Sequence, residues 1–317
     1  MTRVAILAGG TGGAKLAQGL QSVLPAGDLT VIVNTADDLE RHGLLVMPDH
    51  DAVLYMLGGR FDHERGWGID GETWVVMDGL TAYGEEAWFG LGDRDFATHI
   101  ARTARIHAGA TVTEAVLGLQ AAVGLPARIL PMTDEPVRTQ VLTDDGWLEF
   151  QEYFVHRHQG PEVRAVRFDG IESARPTTRV LAALDEADVI VVGPSNPIVS
   201  LGPILAVPGL AAAIGSARRR GAPVLAVSAI VGGRALKGPA DRMLVSLGEA
   251  SSALGVATIL APHTDIFVLD TVDASAEAAI AALGMGTHLT DTIMADDAGR
   301  ARLAREILEV AHAGAPS

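Results

Sequence analysis

The chain has 317 residues, enough for one large domain or about two ordinary ones, and at 48% hydrophobic it can bury a substantial core rather than remain disordered. A formal net charge of −15 excludes the broad basic face that DNA or RNA binding needs, and the absence of cysteine excludes disulfides, thiolate nucleophiles and cysteine zinc sites. No apolar run approaches the roughly 20 residues of a membrane span, and no basic segment with an apolar core precedes the first strand, so a soluble, cytoplasmic protein without membrane association is expected.

An acidic protein that binds phosphate should rely on backbone N–H groups, a few local Arg or Lys, and a divalent metal. The first segment suits that chemistry. Val4–Leu7 is a short apolar strand, followed by the turn Gly9, Gly10, Thr11, Gly12 and Gly13, with Lys15 just beyond. Leu16, Leu20, Val23 and Leu24 then recur at helical spacing up to the stop Pro25-Ala26-Gly27. A strand, a glycine turn and a helix N-terminus make an anion site, because backbone N–H groups point outward and the helix dipole favours negative charge. The turn is neither G-x-G-x-x-G, since Lys15 takes the third glycine position, nor a P-loop, since Ala14 precedes Lys15. A tight connection without a ligand is the alternative reading.

Leu29–Val33 is a second apolar strand, so the opening is β-α-β with parallel strands and ligands expected beyond their carboxyl ends. Asn34-Thr35-Ala36-Asp37-Asp38 leaves that end, and a loop leads to Pro48-Asp49-His50-Asp51 at the head of a helix. Carboxylates beside a phosphate site need a cation between them, and Mg²⁺ commonly takes one or two carboxylates plus substrate phosphates. N-capping of the helix by Asp49 or Asp51 is the alternative.

Residues 58–80, with Trp67 and Trp74, read as an irregular loop whose tryptophans either stack on a flat ligand or pack within the loop. Leu91-Gly92-Asp93-Arg94-Asp95 is a charged turn before a helix carrying His99: either a solvated ion-pair cluster or a held arginine. Thr111–Val123 is a helix, and short strands at Ala127–Leu130, Gln140–Leu142, Trp147–Phe150 and Val163–Phe168 look antiparallel, with a hairpin at Asp144-Asp145-Gly146. The expected organisation is therefore a Rossmann-like α/β core over 1–79 and 171–317, with an inserted α+β subdomain over 80–170. The α/β rhythm resumes with Val189–Val192 and the loop from Gly193 to Pro203, whose Ser195 and Asn196 can hydrogen-bond a ligand. Pro223–Ser228 and Ile266–Leu269 are further strands, Arg234 and Lys237 add local positive charge, and Leu303, Ile307 and Val310 mark a terminal helix. The remaining histidines show no metal-ligand spacing.

The ordered series GGTGGAKL (Gly9–Leu16), VNTADD (Val33–Asp38), PDxD (Pro48–Asp51), WGI (Trp67–Ile69), LGDRD with ATH (Leu91–His99), LP-T-D (Leu130–Asp134), FQEY (Phe150–Tyr153) and GPSNPIVSLGPIL (Gly193–Leu205) resembles the family of 2-phospho-L-lactate transferases, the CofD/FbiA-type enzymes of coenzyme F-420 biosynthesis. The resemblance spans almost the whole chain. It implies transfer of a phosphorylated three-carbon acid from a guanosine diphosphate conjugate to the ribityl hydroxyl of the deazaflavin Fo, with release of GMP, help from Mg²⁺, a Rossmann-like fold and a homodimer. It also implies that Asp51 lies beside the deazaflavin, contacting Fo or metal and accepting the hydroxyl proton. Asp37 and Asp49 are then the other metal candidates. Gly9, Gly10, Thr11, Gly12, Gly13, Lys15, Asn34, Ser195 and Asn196 would hold the guanosine diphosphate part, and Gly90, Asp93, Arg94 and Asp95 would lie near Fo. Archaeal relatives place lysine where Gly90 stands, which leaves only a backbone contact there, and His50 replaces a more usual leucine. Two rivals are a regulatory nucleotide-sugar binder of the related YvcK type and an NAD-dependent oxidoreductase. The Asp93–Asp95 turn with the intact GPSNP segment argues against the first, and the failed dinucleotide fingerprint against the second.

Overall fold

The computed structural model describes residues 2–313. Seven strands form one parallel sheet: β1 Val4–Ala8, β2 Leu29–Val33, β3 Arg128–Pro131, β4 Val189–Val192, β5 Val224–Val227, β6 Ile266–Asp270 and β7 Gly286–Thr290. Their spatial order is β7-β6-β5-β4-β1-β2-β3. Every residue of β1, β2, β4 and β5 is buried. Such continuous Val/Ile/Leu/Ala runs are what a strand covered on both faces requires. Alternation sorts their side chains into two cores. Ala5, Leu7, Ile190 and Val192 face one, and Val4, Ile6, Ala8, Val189 and Val191 the other.

The second core is covered by helices α1 (Gly10–Val23), α2 (Pro48–Leu57) and the terminal helix Asp297–Ala313. In the terminal helix the expected Leu303 and Ile307 are fully buried. Thr178–Glu186 and Leu210–Arg219 cover the first core. The sheet is therefore the expected Rossmann-like α/β layer with helices on both faces.

Strand order reverses between β1 and β4, with β2 and β3 to one side and β5, β6 and β7 to the other. Ligands of open parallel sheets bind in the crevice at that switch, beyond the carboxyl ends. The glycine turn leaves β1 there and the Gly193–Ser200 loop leaves β4 there, one strand apart.

The expected insertion over 80–170 is corrected in one respect. Residues 128–131 are not part of a separate antiparallel unit; they are β3, the edge strand of the main sheet, in parallel register with β2 from Thr30↔Arg128 to Val33↔Pro131. The helix Val112–Ala122 packs on β3, and the Gln120 side chain bonds both the N–H and the C=O of Ile129. A four-residue apolar run carries no mark of which sheet it joins. The antiparallel sheet itself forms as expected from Arg138–Thr143 between Gly146–Glu149 and Ala165–Asp169. Elements in stretches read as loop or left unread include the hairpin Leu39–Arg41/Leu44–Val46, the helices Val75–Ala82, Ala240–Ser246 and Ala253–Leu260, and β7.

Candidate functional site

The switch point opens into a cleft of about 1040 Å³. Gly9, Gly10, Thr11, Gly12, Lys15, Ser195 and Asn196 line one part of it. The two loops are latched together: the Gly9 N–H donates to Ser195 Oγ at 3.0 Å, and that hydroxyl donates to the Gly9 carbonyl at 2.8 Å. Glycine is needed for this closeness. A Cβ on Gly9 would lie 2.5 Å from Ser200 Cβ and one on Gly13 2.7 Å from Ser195 Oγ, while one on Gly12 would collide with the Pro194 carbonyl oxygen. Gly10, at φ +60°, needs glycine for its backbone instead. Gly12→Ala is therefore expected to lose about 3 kcal/mol of stability, the upper end of the overpacking range, because backbone cannot yield as a side chain does. The denaturation midpoint measures this; an unchanged midpoint would contradict the tight loop contact.

Gly13 packs behind the cleft and does not line it. Asn34 is fully buried and also stands behind the surface. Its amide donates to Asp49 Oδ2 at 3.0 Å and to the Val199 carbonyl at 3.3 Å, while its Oδ1 accepts from Ala36 N–H at 2.9 Å. Asn34 thus ties the carboxyl end of β2 to both neighbouring loops.

Asp49 does not cap its own helix, whose N-cap is Met47 without a side-chain bond. It caps α1 instead, accepting from the Gly10 N–H at 2.7 Å. Burial pushes its pKa up to about 6, against the bonds from Asn34 and Gly10. Burial also pushes the Asp37 carboxyl well above the usual range, and the charge of Asp49 pushes it further. Asp37 Oδ1 is buried without a hydrogen-bond partner. Two crowded carboxylates lining the cleft, one with an orphaned oxygen, are a donor set that fits a hard divalent cation. Asp38 is also buried and raised by burial, but it does not line the cleft.

Asp51 lies in a second cluster. Its Oδ1 accepts from the Arg102 guanidinium and from His50 Nδ1, the latter at 3.0 Å. Burial alone would raise the Asp51 carboxyl; the Arg102 charge beside it and the His50 bond hold it well below the usual carboxylate range. His99 sits between acids, with Nδ1 3.5 Å from Asp51 Oδ2 and Nε2 3.2 Å from Asp95 Oδ1. Tyr55 O–H donates to Asp95 Oδ1 at 2.5 Å. One ligand atom each from Asp51, Asp95 and His99 lies within 4.8 Å of the others, so these three form a second candidate cation position. Asp51 is therefore not grouped with Asp37 and Asp49 in a single carboxylate set. Asp95, His99 and Arg102 stand on one face of the helix Asp93–His107, at i, i+4 and i+7. That spacing is present in the sequence, although it does not reveal the partner Asp51.

Trp67 and Trp74 pack edge to face, centroids 5.8 Å apart at 71°, and the Arg65 guanidinium lies 5.0 and 4.9 Å from the two rings. Both rings line the cleft and abut Gly90: a Cβ there would be 3.4 Å from Trp67 and 3.6 Å from Trp74. The rings fill the space beside position 90. Asp95 lines the cleft, whereas Asp93 and Arg94 do not. Asp93 accepts from Thr73 Oγ1 at 2.5 Å and from the N–H groups of Val75 and Val76 at 3.1 and 2.9 Å. Arg94 donates to the Asp70 carbonyl at 2.8 Å. The charged turn thus fastens the tryptophan loop to the helix that carries Asp95 and His99.

The sequence model of the 2-phospho-L-lactate transferase CofD family matches residues 4–306 of this chain. A phosphoenolpyruvate transferase from Streptomyces griseus is 44% identical over 315 residues, covering 98% of each chain. A 2-phospho-L-lactate transferase from Methanosarcina acetivorans is 40% identical over 289 residues, covering 91% of this chain and 92% of its own. Among solved structures, a protein member of the UPF0052 family from Bacillus halodurans superposes with a TM-score of 0.67 at 18% identity, over 97% of this chain and 100% of its own, a likeness of fold. With a family match over residues 4–306 and relatives of 40% and 44% identity over nearly the whole chain, the chain belongs to the 2-phospho-L-lactate transferase CofD family and is a transferase of the CofD type.

Proposed function

We propose that the protein transfers a phosphorylated three-carbon acid from a guanosine diphosphate conjugate to the terminal ribityl hydroxyl of the deazaflavin Fo, releasing GMP, with Mg²⁺ as cofactor and as a cytoplasmic homodimer. The observation that carries this reading is the continuity of one cleft from the latched glycine and Ser195 loops, suited to a nucleotide, to the Trp67, Trp74 and Asp51 wall, suited to a flat ring with a hydroxylated tail. The hydroxyl oxygen forms a bond to the distal phosphorus as the bond to the GMP oxygen breaks, and the hydroxyl proton passes by way of the Asp51 carboxylate to solvent or to the departing GMP phosphate. Positioning and charge neutralisation carry most of the catalysis in such a transfer.

In this reading the backbone and hydroxyls of the two loops orient the donor. Asp51, kept ionised by Arg102, offers Oδ2 to the acceptor hydroxyl; that oxygen has no hydrogen-bond partner among the described residues. Asp51 is thus a weak base and chiefly an orienting acceptor. Mg²⁺, when bound, would offset negative charge on the transferring phosphate; Asp37 and Asp49 would hold it on the donor side of the cleft, with Asp51, Asp95 and His99 as the second candidate position.

Mass spectrometry of products from Fo with guanosine diphosphate conjugates of phosphoenolpyruvate, phospholactate and phosphoglycerate tests the reading. Phosphoenolpyruvate is the first choice, given the 44% identity to a transferase of that name. A coupled product with one of the three is expected. Absence of product with all three, together with tight binding of a nucleotide sugar, would replace this reading with the binding-protein one.

A further inference from the structure

The amide at the start of α1 is already engaged, because Gly10 N–H donates to Asp49. A carboxylate there blocks the axial position at which an anion would meet the helix dipole. A phosphate entering the cleft is therefore pushed sideways, onto the side of α1 that carries Thr11 and Lys15. These two are four residues apart and so stack on one face. Both line the main cleft and also an adjoining cavity of about 520 Å³ that reaches Lys237 and Arg300. Lys237 comes from the segment after β5 and crosses the mouth. Its Nζ donates to the Gly66 carbonyl and, at 3.3 Å, to Thr11 Oγ1.

The two lysines line the same two cavities, and the charge of Lys15 acts on Lys237. Burial lowers the Lys15 ammonium pKa and Arg300 lowers it further; burial lowers that of Lys237, and the Lys15 charge adds to this. Arg300 is occupied by Asp297 at 2.8 Å and by Gln18. Among the described residues neither lysine has a carboxylate within ion-pair distance, although the chain carries 39 Asp and Glu against 24 Lys and Arg. Two ammonium groups at the junction of two cavities, Lys15 partly buried and Lys237 exposed across the mouth, gain most from an anion placed between them.

We propose that Lys15 and Lys237, with Thr11 Oγ1 between them, form a clamp for the diphosphate of the nucleotide donor, and that Lys237 exchanges the Gly66 carbonyl for a diphosphate oxygen as the donor binds. Segment 232–240 then closes over the anion, hinged at Gly232, Gly233 and Gly238, which stand at φ +57°, +79° and +80°. This rests on the donor reading above and deepens it. The clamp makes ground-state nucleotide binding independent of the metal.

Calorimetric titration with inorganic pyrophosphate and with GDP, both in chelator at low salt, tests the clamp. The wild-type protein is expected to bind both, more weakly as salt is raised. Lys237→Gln should weaken both by roughly tenfold or more, the loss of a charge-assisted hydrogen bond. Lys237→Arg should recover part of it, and Lys15→Gln should show the same loss as Lys237→Gln with an unchanged melting temperature. In turnover, Lys237→Gln should raise the donor KM and leave the deazaflavin KM alone. Pyrophosphate binding that is absent from the wild type in chelator, or that is unaffected by Lys237→Gln, overturns the clamp. Lys237-dependent pyrophosphate binding without any affinity for GDP sustains the clamp and instead defeats the guanosine donor.

Discussion

Asp51→Asn is expected to lose stability and turnover together, and the two losses should separate in a double variant. Asp51 and Arg102 form a buried ion pair, 4% and 0% exposed. Removing one charge strands the other, at a cost of about 3–5 kcal/mol. Arg102 keeps a bond to the Leu45 carbonyl at 3.1 Å, which does not replace a counter-charge. Turnover should fall by roughly 10²–10⁴, because the acceptor hydroxyl loses its orienting carboxylate. Adding Arg102→Met removes the stranded guanidinium, and replacing a buried pair with apolar volume is often neutral. The double variant should therefore regain most of the stability, measured by urea denaturation, and none of the turnover. Recovery of both would mean that Asp51 serves only to hold Arg102. Near-normal turnover in the single variant would remove Asp51 from the site.

Removing Mg²⁺ is expected to abolish transfer, by roughly 10²-fold or more if the ion supplies several kcal/mol of transition-state stabilisation. The Asp37–Asp49 pair gives this a second readout. Asp49 has a folded-state pKa of about 6 against an ordinary 3.8. The folded state therefore holds this proton more tightly than the unfolded chain. Its contribution to stability is complete below about pH 4 and is lost as pH rises through about 6. Asp37, also raised, acts with the same sign. A cation competes with those protons, so the rise in melting temperature on adding Mg²⁺ should be small near pH 5 and grow towards pH 8. Asp37→Asn should flatten that growth. Full activity in chelator, or a Mg²⁺ effect that does not change with pH, would remove the metal from these residues.

Much of this layout was legible because it is local. Buried parallel strands announce themselves as unbroken apolar runs, and the turns that follow β1 and β4 stand out by their glycine and proline content. The sorting of side chains within those turns was not legible. The turn at Asp93–Asp95 read equally as a solvated ion-pair cluster or a held arginine, and only the resemblance set it near Fo; the partners of Asp93 and Arg94 are Thr73, the Val75 and Val76 amides, and Asp70. β3 escaped the main sheet in the reading because four residues beside a hairpin look alike in either sheet. His99 was visible as a helical residue, but its place between two carboxylates depends on the packing of its helix beside α2.

Taken by itself, the chain of residues determined the α/β class, the position of the glycine turn at the head of a helix, the acidic cluster beside it and, through its ordered motifs, the family. Only the tertiary structure decided that Asp49 caps α1 across 39 residues of chain, that Arg102 neutralises Asp51 across 51, and that Lys237 meets Thr11 across 226. Periodicity and composition follow from the covalent neighbours of each residue. Which charges share one low-dielectric space follows from how the strands are ordered and where their loops converge, and that ordering is a property of the packed sheet.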